Sequence, residues 1–321
     1  MMATFLTGPL DDLLDRTVIG SFTNIGHKVR SSGWQVDLPS LDGKNVIVTG
    51  ATSGLGRAAA ERLAQMGAGV RLVGRSQVKL ENARREIAEA TGNDDLGTYV
   101  ADFSSMEQVQ DLAEALLADE SQIDVLINNA GALITERRET ADGLELTLAT
   151  NLLSHFLLTN LLIPRLASSA PARIINVSSG GMYTQRIRVR DLQSTRGEYK
   201  GSIAYARAKR GQVILTELWA EQLADQGIVI HAMHPGWADT PGVEESLPLF
   251  RKVTKPFLRT PEQGADTIVW LAASDEAAET TGKFWLDRRS RPTHRLKSTV
   301  EAFEDRQGLW DALNDLTGTD F

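Results

Sequence analysis

Tyr205 and Lys209 lie four residues apart in the stretch AYARAKRGQVILTELWAEQL, residues 204–223. The stretch reads as a helix, and on a helix positions i and i+4 project from one face, one above the other. A phenol beside an ammonium is a candidate acid, because the cation favours the phenolate and lowers the tyrosine pKa from about 10. The same pair is also ordinary surface decoration, so its meaning rests on what the chain places around it. Hydride moving onto a carbonyl carbon builds negative charge on the oxygen. A tyrosine can deliver the proton that oxygen needs, and a serine hydroxyl can hold the oxygen in place. A nicotinamide carries the hydride in such chemistry, so no metal is required.

Other chemistries fit less well. Ser178 and Ser179 beside Gly180, with His231 or His234 as base, suggest a hydrolase, but the G-x-S-x-G elbow is missing. The histidines of HAMH (231–234) stand three apart in a strand-like run, where i and i+3 face opposite sides. His231 therefore reads as a core or pocket residue and no metal site is expected. The 321 residues contain no cysteine, which excludes disulfides, thiolate catalysis and cysteine-zinc sites. A net charge of −8 argues against nucleic acid as the main partner. The greasiest run, LLSHFLLTNLLIP (152–164), is interrupted by His155 and Asn160, so no transmembrane helix is expected. The first thirty residues lack a basic and then apolar leader, and a cytoplasmic location is the expectation.

The elements that must position these groups alternate. NVIVTG, VRLVG, GTYVAD, IDVLINNAG, ARIINVSS and IVIHAMH read as strands, with helical patterns between them, including one over about 142–168. Near-continuous apolar strands alternating with helices predict a doubly wound, Rossmann-type parallel sheet covered on both faces. A catalytic domain over 41–287 is expected, with extensions at 1–40 and 288–321. In the first extension Leu10, Leu13, Leu14, Val18, Phe22, Ile25 and Val29 recur at near-helical spacing, interrupted by Gly20 and Gly26. In the second, RRSRPTHRLK reads as loop, followed by a short helix near 299–315 capped by Ser298 or Thr299.

TGATSGLG (49–56) joins the first strand to the first helix of this alternation. Gly50 can supply an unusual backbone angle, while Gly54 and Gly56 let the backbone approach a pyrophosphate. The second strand ends VGRS, with Gly74 where an acid would bind the ribose hydroxyl of NAD and Arg75 next to it. An arginine there suits the 2′-phosphate of NADP, so NADP(H) is expected over NAD(H), with help from Arg57. Residues 241–260 read as an excursion that folds over a greasy pocket, and Trp237, Trp270 and Trp285 are candidates for its lining.

These motifs together resemble the short-chain dehydrogenase/reductase superfamily. The likeness runs from about Leu41 to Leu286 and rests on TGATSGLG, AD (101–102), NNAG (128–131), Asn151, NVSS (176–179), YARAK (205–209) and HPGWADT (234–240). The stretches VSSGGM, DLQS, HPGWADTPGV, GADT and DRRSRPTH further resemble the branch called dehydrogenase/reductase family member 12. The resemblance implies that Tyr205 is the general acid/base and that Lys209 activates it and holds the nicotinamide ribose. It implies that Ser179 bonds the substrate oxygen and that Asn151 orders a water near Lys209. For the cofactor it implies Gly50, Thr52, Ser53, Gly54, Leu55 and Gly56 in the loop and Asp102 by the adenine. Asn129, Ala130 and Gly131 would lie along it, and Thr240 would hold the carboxamide, next to Pro235 and Gly236. The 26 residues from Ser179 to Tyr205 exceed those of compact members, which affects the pocket wall. An alcohol/carbonyl oxidoreductase acting on an apolar substrate follows, with pairing of the long helices into a homodimer or larger homo-oligomer. The alternative is a catalytically silent cofactor-binding scaffold of the same fold.

Overall fold

The computed structural model describes residues 11–34 and 37–321; Leu10 of the N-terminal pattern lies outside the described residues. Among the described residues eight strands form one sheet: β1 (Asn45–Thr49), β2 (Gly69–Gly74), β3 (Leu96–Val100), β4 (Val125–Asn128), β5 (Ala172–Val177), β6 (Ile228–Met233), β7 (Lys283–Leu286) and β8 (Arg289–Arg291). Their order is β3-β2-β1-β4-β5-β6-β7-β8, parallel from β3 to β7. Val46, Ile47 and Val48 of β1 are fully buried, as a central strand covered on both faces requires. The chain reverses direction across the sheet between β1 and β4. Ligands of open α/β sheets bind at the crevice beyond that switch point.

Helices cover both faces. The N-terminal pair is α1 (Val18–Phe22) and α2 (Asn24–Ser31), followed by α3 (Gly54–Gln65), α4 (Gln77–Thr91) and α5 (Met106–Asp119). Then come α6 (Ser154–Ser168), α7 (Gly201–Gln222), α8 (Pro241–Ser246), α9 (Pro248–Thr254), α10 (Pro261–Ala273) and α11 (Phe303–Thr317). Local chemistry marks their ends. Ser76 and Ser105 cap α4 and α5 through their hydroxyls, and Gly92 ends α4 in the left-handed conformation. Apolar faces of α3, α4 and α10 build one core layer, and those of α5, α6, α7 and α11 build the other.

The helix expected over 142–168 starts later and is not uniform. It opens with an α-turn at Leu146–Leu148, passes through a π-segment at Ala149–Leu153 and only then becomes α6. By length and composition, Leu146–Ser168 could cross a membrane, contrary to the reading of an interrupted run; 78% of its apolar window is buried inside the protein, as in a core helix. The dimer expectation rested on the broad apolar faces of α6 and α7. Here α11 covers them: Trp310 packs edge-on against Phe156 and Trp219, with ring centroids 5.0 and 5.9 Å away. The C-terminal Phe321 joins the same cluster.

The tail holds two departures from expectation. Arg289–Arg291, read as loop, is an antiparallel edge strand that carries the sheet past residue 287. It turns back through Asp287 and Arg288, both at positive φ (53° and 55°), the geometry of a two-residue hairpin. The last helix begins at Phe303 with no side-chain cap, and Thr299 instead bonds back to Leu296 C=O. Arg210 of α7 is buried and anchors this tail by donating to Glu301 and to Thr293 C=O.

The first extension is built into the body. Gly26 allows α1 and α2 to cross closely, since a Cβ there would stand 1.9 Å from Gly20 O. Two buried carboxylates hold these helices down. Asp11 accepts from Arg30, Arg289 and Arg291. Asp287 accepts from Arg30 at 2.7 Å and from both ends of the Arg259 guanidinium.

Candidate active site

The glycine loop lies where β1 ends at the switch point. Gly50 (φ 67°) and Gly54 (φ 56°) adopt left-handed angles, and a Cβ on Gly56 would stand 2.3 Å from Gly50 O. Ser53 precedes α3 in extended conformation without a side-chain cap bond, leaving the first amides of α3 for an anion. Thr52 and Leu55 pack outward from the loop, against Gly74 and Gly264. Across the crevice, Asn129 donates to Thr49 C=O at 2.8 Å, and Thr49 Oγ1 accepts from the Asn129 and Ala130 amides at 2.9 and 3.0 Å. Thr49 was not singled out from the sequence. A buried threonine at a strand end carries no signal until its partner strand is known.

Gly74 is followed by an exposed Arg75 that has, among the described residues, no ion-pair partner. Arg57 is engaged elsewhere, by Glu86 at 2.8 Å and Glu61 at 3.4 Å. A Cβ on Gly74 would come within 3.1 Å of Thr52 Cγ2, so a carboxylate side chain there would push on the glycine loop. Asp102 is half-buried after β3 and accepts from the Ser104 amide.

The expected tetrad residues come together at the ends of β4 and β5. Ser179 lies beside Tyr205 and acts on its phenol, favouring the ionised form. Lys209, buried one turn along α7, donates to Val177 C=O at 2.9 Å, and its Nζ stands 5.6 Å from the Tyr205 ring centroid. Ser178 fastens the same turn by donating to Lys209 C=O at 2.8 Å. Asn151 sits in the π-segment, a helical irregularity that recurs at functional sites. Its amide donates to Ala132 C=O and Thr147 C=O and its oxygen accepts from Ala132 N–H, which pins the loop after β4. A Cβ built on Gly131 would stand 2.6 Å from Asn151 Oδ1 and 3.4 Å from Lys209 Nζ, so one small residue brings the two groups face to face.

The electrostatics differ from the expectation in one respect. Burial pushes the Tyr205 phenol up to about 12, with the neighbouring Ser179 hydroxyl working in the opposite direction. Lys209 does not lower it, because the ammonium points at Val177 and is itself pushed down to about 7 by burial.

The turn after β6 closes the site. Gly236 (φ 78°) lies against Arg259, whose Nη1 donates to Pro235 C=O. Thr240 caps α8 and touches the glycine loop, its Cγ2 3.2 Å from where a Gly54 Cβ would be. Of the three tryptophans, only Trp237 stands here, edge-on to Phe250 with centroids 5.0 Å apart. Trp270 and Trp285 pack on each other in the core. His231 is a core residue, its Nε2 bonded to Ala277 C=O. Of the apolar residues in 241–260, Leu258 is buried and Phe250 half-buried, but Leu247, Leu249, Val253 and Phe257 face outward.

This sheet, glycine loop and cluster define an NAD(P)-dependent oxidoreductase acting on CH–OH groups. The chain belongs to the short chain dehydrogenase family, whose model matches residues 44–248. It is similar to human "Dehydrogenase/reductase SDR family member 12", at 42% identity over 87% of this chain and 88% of that protein. It is also similar to human "Retinol dehydrogenase 12", at 36% identity over 87% of both chains. A crystal structure of a protein from Mycobacterium paratuberculosis, 30% identical, superposes with a TM-score of 0.72 over 90% of this chain and 98% of that one.

Proposed function

We propose that the protein interconverts a lipophilic alcohol and its carbonyl with NADP(H), through Tyr205, Ser179, Lys209 and Asn151. The observation that carries this reading is the gathering of Tyr205, Ser179, Asn151 and buried Lys209 at the ends of β4 and β5, with Lys209 Nζ 5.6 Å from the Tyr205 ring centroid. A phenol raised to about 12 holds its proton at neutral pH and is ready to give it to a forming alkoxide. Ser179 orients the carbonyl oxygen towards that proton. Asn151 fixes the loop that faces Lys209, and in the carbonyl-reducing direction the proton lost by Tyr205 returns by way of that buried lysine. The nicotinamide, when bound, supplies or accepts the hydride. Gly50, Thr52, Ser53, Gly54, Leu55 and Gly56 would hold its pyrophosphate side and Asp102 the adenine. Asn129, Ala130 and Gly131, with Pro235, Gly236 and Thr240, would hold the nicotinamide side. The relatives named retinol dehydrogenases, and the Trp237–Phe250 pair beside the site, support an apolar substrate. NADPH oxidation with retinaldehyde and straight-chain aldehydes tests the reading; no turnover with any of them counts against it.

Exposed Arg75 beside Gly74 supports NADP(H) over NAD(H). Arg75→Ala is expected to cost NADPH roughly 1.5–3 kcal/mol, the scale of a charge-assisted contact, and to leave NADH nearly unchanged. Calorimetric titration checks this, and equal affinities in the parent protein would refute the preference.

Leu258 and Arg259 of the segment at about 241–260 are buried, and its outer residues 241–257 serve this site as a lid. They are fastened by few polar contacts, Ser246 to Leu133 C=O, Asn24 to Pro256 C=O, and Arg251 to Asp239 and Glu244. Hydrogen exchange across 242–258 should be fast in the free protein and slow with cofactor and aldehyde bound. Strong protection in both states would leave the segment purely structural.

A homo-oligomer remains part of the proposal. With α11 over α6 and α7, assembly would use another face. We also place the protein in the cytoplasm, a reading that imaging of the tagged full chain tests.

A further inference from the structure

The Ser179 loop is held from behind by His234. The Gly180 N–H donates to His234 Nδ1 at 3.0 Å, and the Gly181 N–H donates to the Ser179 hydroxyl at 3.2 Å. A ring nitrogen that accepts carries no proton, so the imidazole is neutral with its hydrogen on Nε2. Burial keeps it so, holding its pKa down near 3. Space is tight on this side of the loop. A Cβ on Gly180 would stand 2.7 Å from His234 Nε2 and 2.9 Å from Phe22 Cε2.

Phe22 comes from the other end of the chain. Its ring meets the His234 imidazole edge-on, with centroids 4.4 Å apart and planes at 89°. The Arg295 guanidinium lies over the same ring at 5.7 Å. The backbone is fixed as firmly as the ring. Three successive carbonyls of the α1–α2 junction are occupied: Ser21 by Arg259 Nη2, Phe22 by the Trp237 N–H and Thr23 by Arg259 Nε. Arg259 in turn is locked by Asp287, both side chains being 1% exposed.

From this continuous set of contacts we infer that the N-terminal helices form a working wall of the active site. Phe22 and His234 are positioning residues that set Ser179 through Gly180. Neither touches the reacting atoms. The inference rests on the reading of Ser179 given above. Its physical basis is the steep cost of misplacement: a hydroxyl that must reach both a phenol and a substrate oxygen loses roughly 100-fold in rate when it moves about 1 Å.

His234→Leu removes the acceptor at similar size, His234→Asn restores an acceptor oxygen, and Phe22→Ala removes the support. Turnover is followed by NADPH oxidation with retinaldehyde and straight-chain aldehydes, and NADPH affinity by calorimetry. The expected result is a kcat lowered roughly 10–100-fold in His234→Leu and Phe22→Ala, with NADPH affinity unchanged and His234→Asn recovering most of the loss. Exchange of the Gly180 amide should quicken in the two damaging variants, each checked for folding by circular dichroism. Normal kcat in both, or unchanged Gly180 exchange, overturns the inference. Ser179→Ala and Tyr205→Phe separate it from its premise. Loss of turnover in these two with full turnover in His234→Leu and Phe22→Ala overturns the inference alone; full turnover in Ser179→Ala overturns both. Should His234→Leu fail to fold, Phe22→Ala decides.

Discussion

Tyr205→Phe lowers turnover by roughly 100-fold or more and leaves fold and nucleotide affinity in place. The change deletes one oxygen from a half-buried ring whose centroid stands 5.6 Å from Lys209 Nζ. It removes the proton donor that stands beside Ser179. Ser179 keeps its bond from the Gly181 amide, so its loop should stay where it is. The loss therefore belongs in kcat, with the NADPH dissociation constant unmoved. Steady-state NADPH oxidation with any accepted aldehyde measures it, alongside calorimetric titration of the nucleotide. Near-normal turnover would take Tyr205 out of the acid role and would revive the silent-scaffold alternative.

The second large effect is on stability. Asp287→Asn keeps the shape of the residue and suits the positive φ of 53° at the β7–β8 turn, since asparagine tolerates that region. What it removes is charge. Arg259 and Arg30 are left buried opposite a neutral amide, and breaking a buried ion pair in this way costs about 3–5 kcal/mol. Burial opposes the Asp287 charge, but Arg259 and Arg30 outweigh it and hold its pKa below the ordinary carboxylate value. A depressed native pKa contributes stability that is present above the unfolded value of about 4 and is lost as pH falls through the native one. The gap between parent and variant in urea unfolding should then be full at neutral pH and close in strong acid. A constant gap at every pH would mean that packing, not charge, is what Asp287 supplies. Because Arg259 also grips Ser21, Thr23 and Pro235, the variant should loosen α1 and α2 before the sheet.

Much of this protein was legible in its residues because the informative features are local. Strand-helix alternation carries its own period, so the parallel strands β1 to β6 and the helices between them could be read off directly. The glycine loop announces itself by spacing, since only glycine tolerates the positive φ at 50 and 54 and the close approach at 56. Tyr205 and Lys209 declare a shared face by being one helical turn apart. Tertiary structure decided what depends on partners distant in sequence. Phe22 against His234, Asp11 against Arg289, Asp287 against Arg30, and α11 over α6 and α7 join positions far apart in the chain, and no periodicity records such contacts. The direction of the Tyr205 shift belongs to the same class. Spacing showed an ammonium nearby, but only the fold revealed that it points at Val177 and that burial, stronger than its charge at that distance, drives the phenol upward.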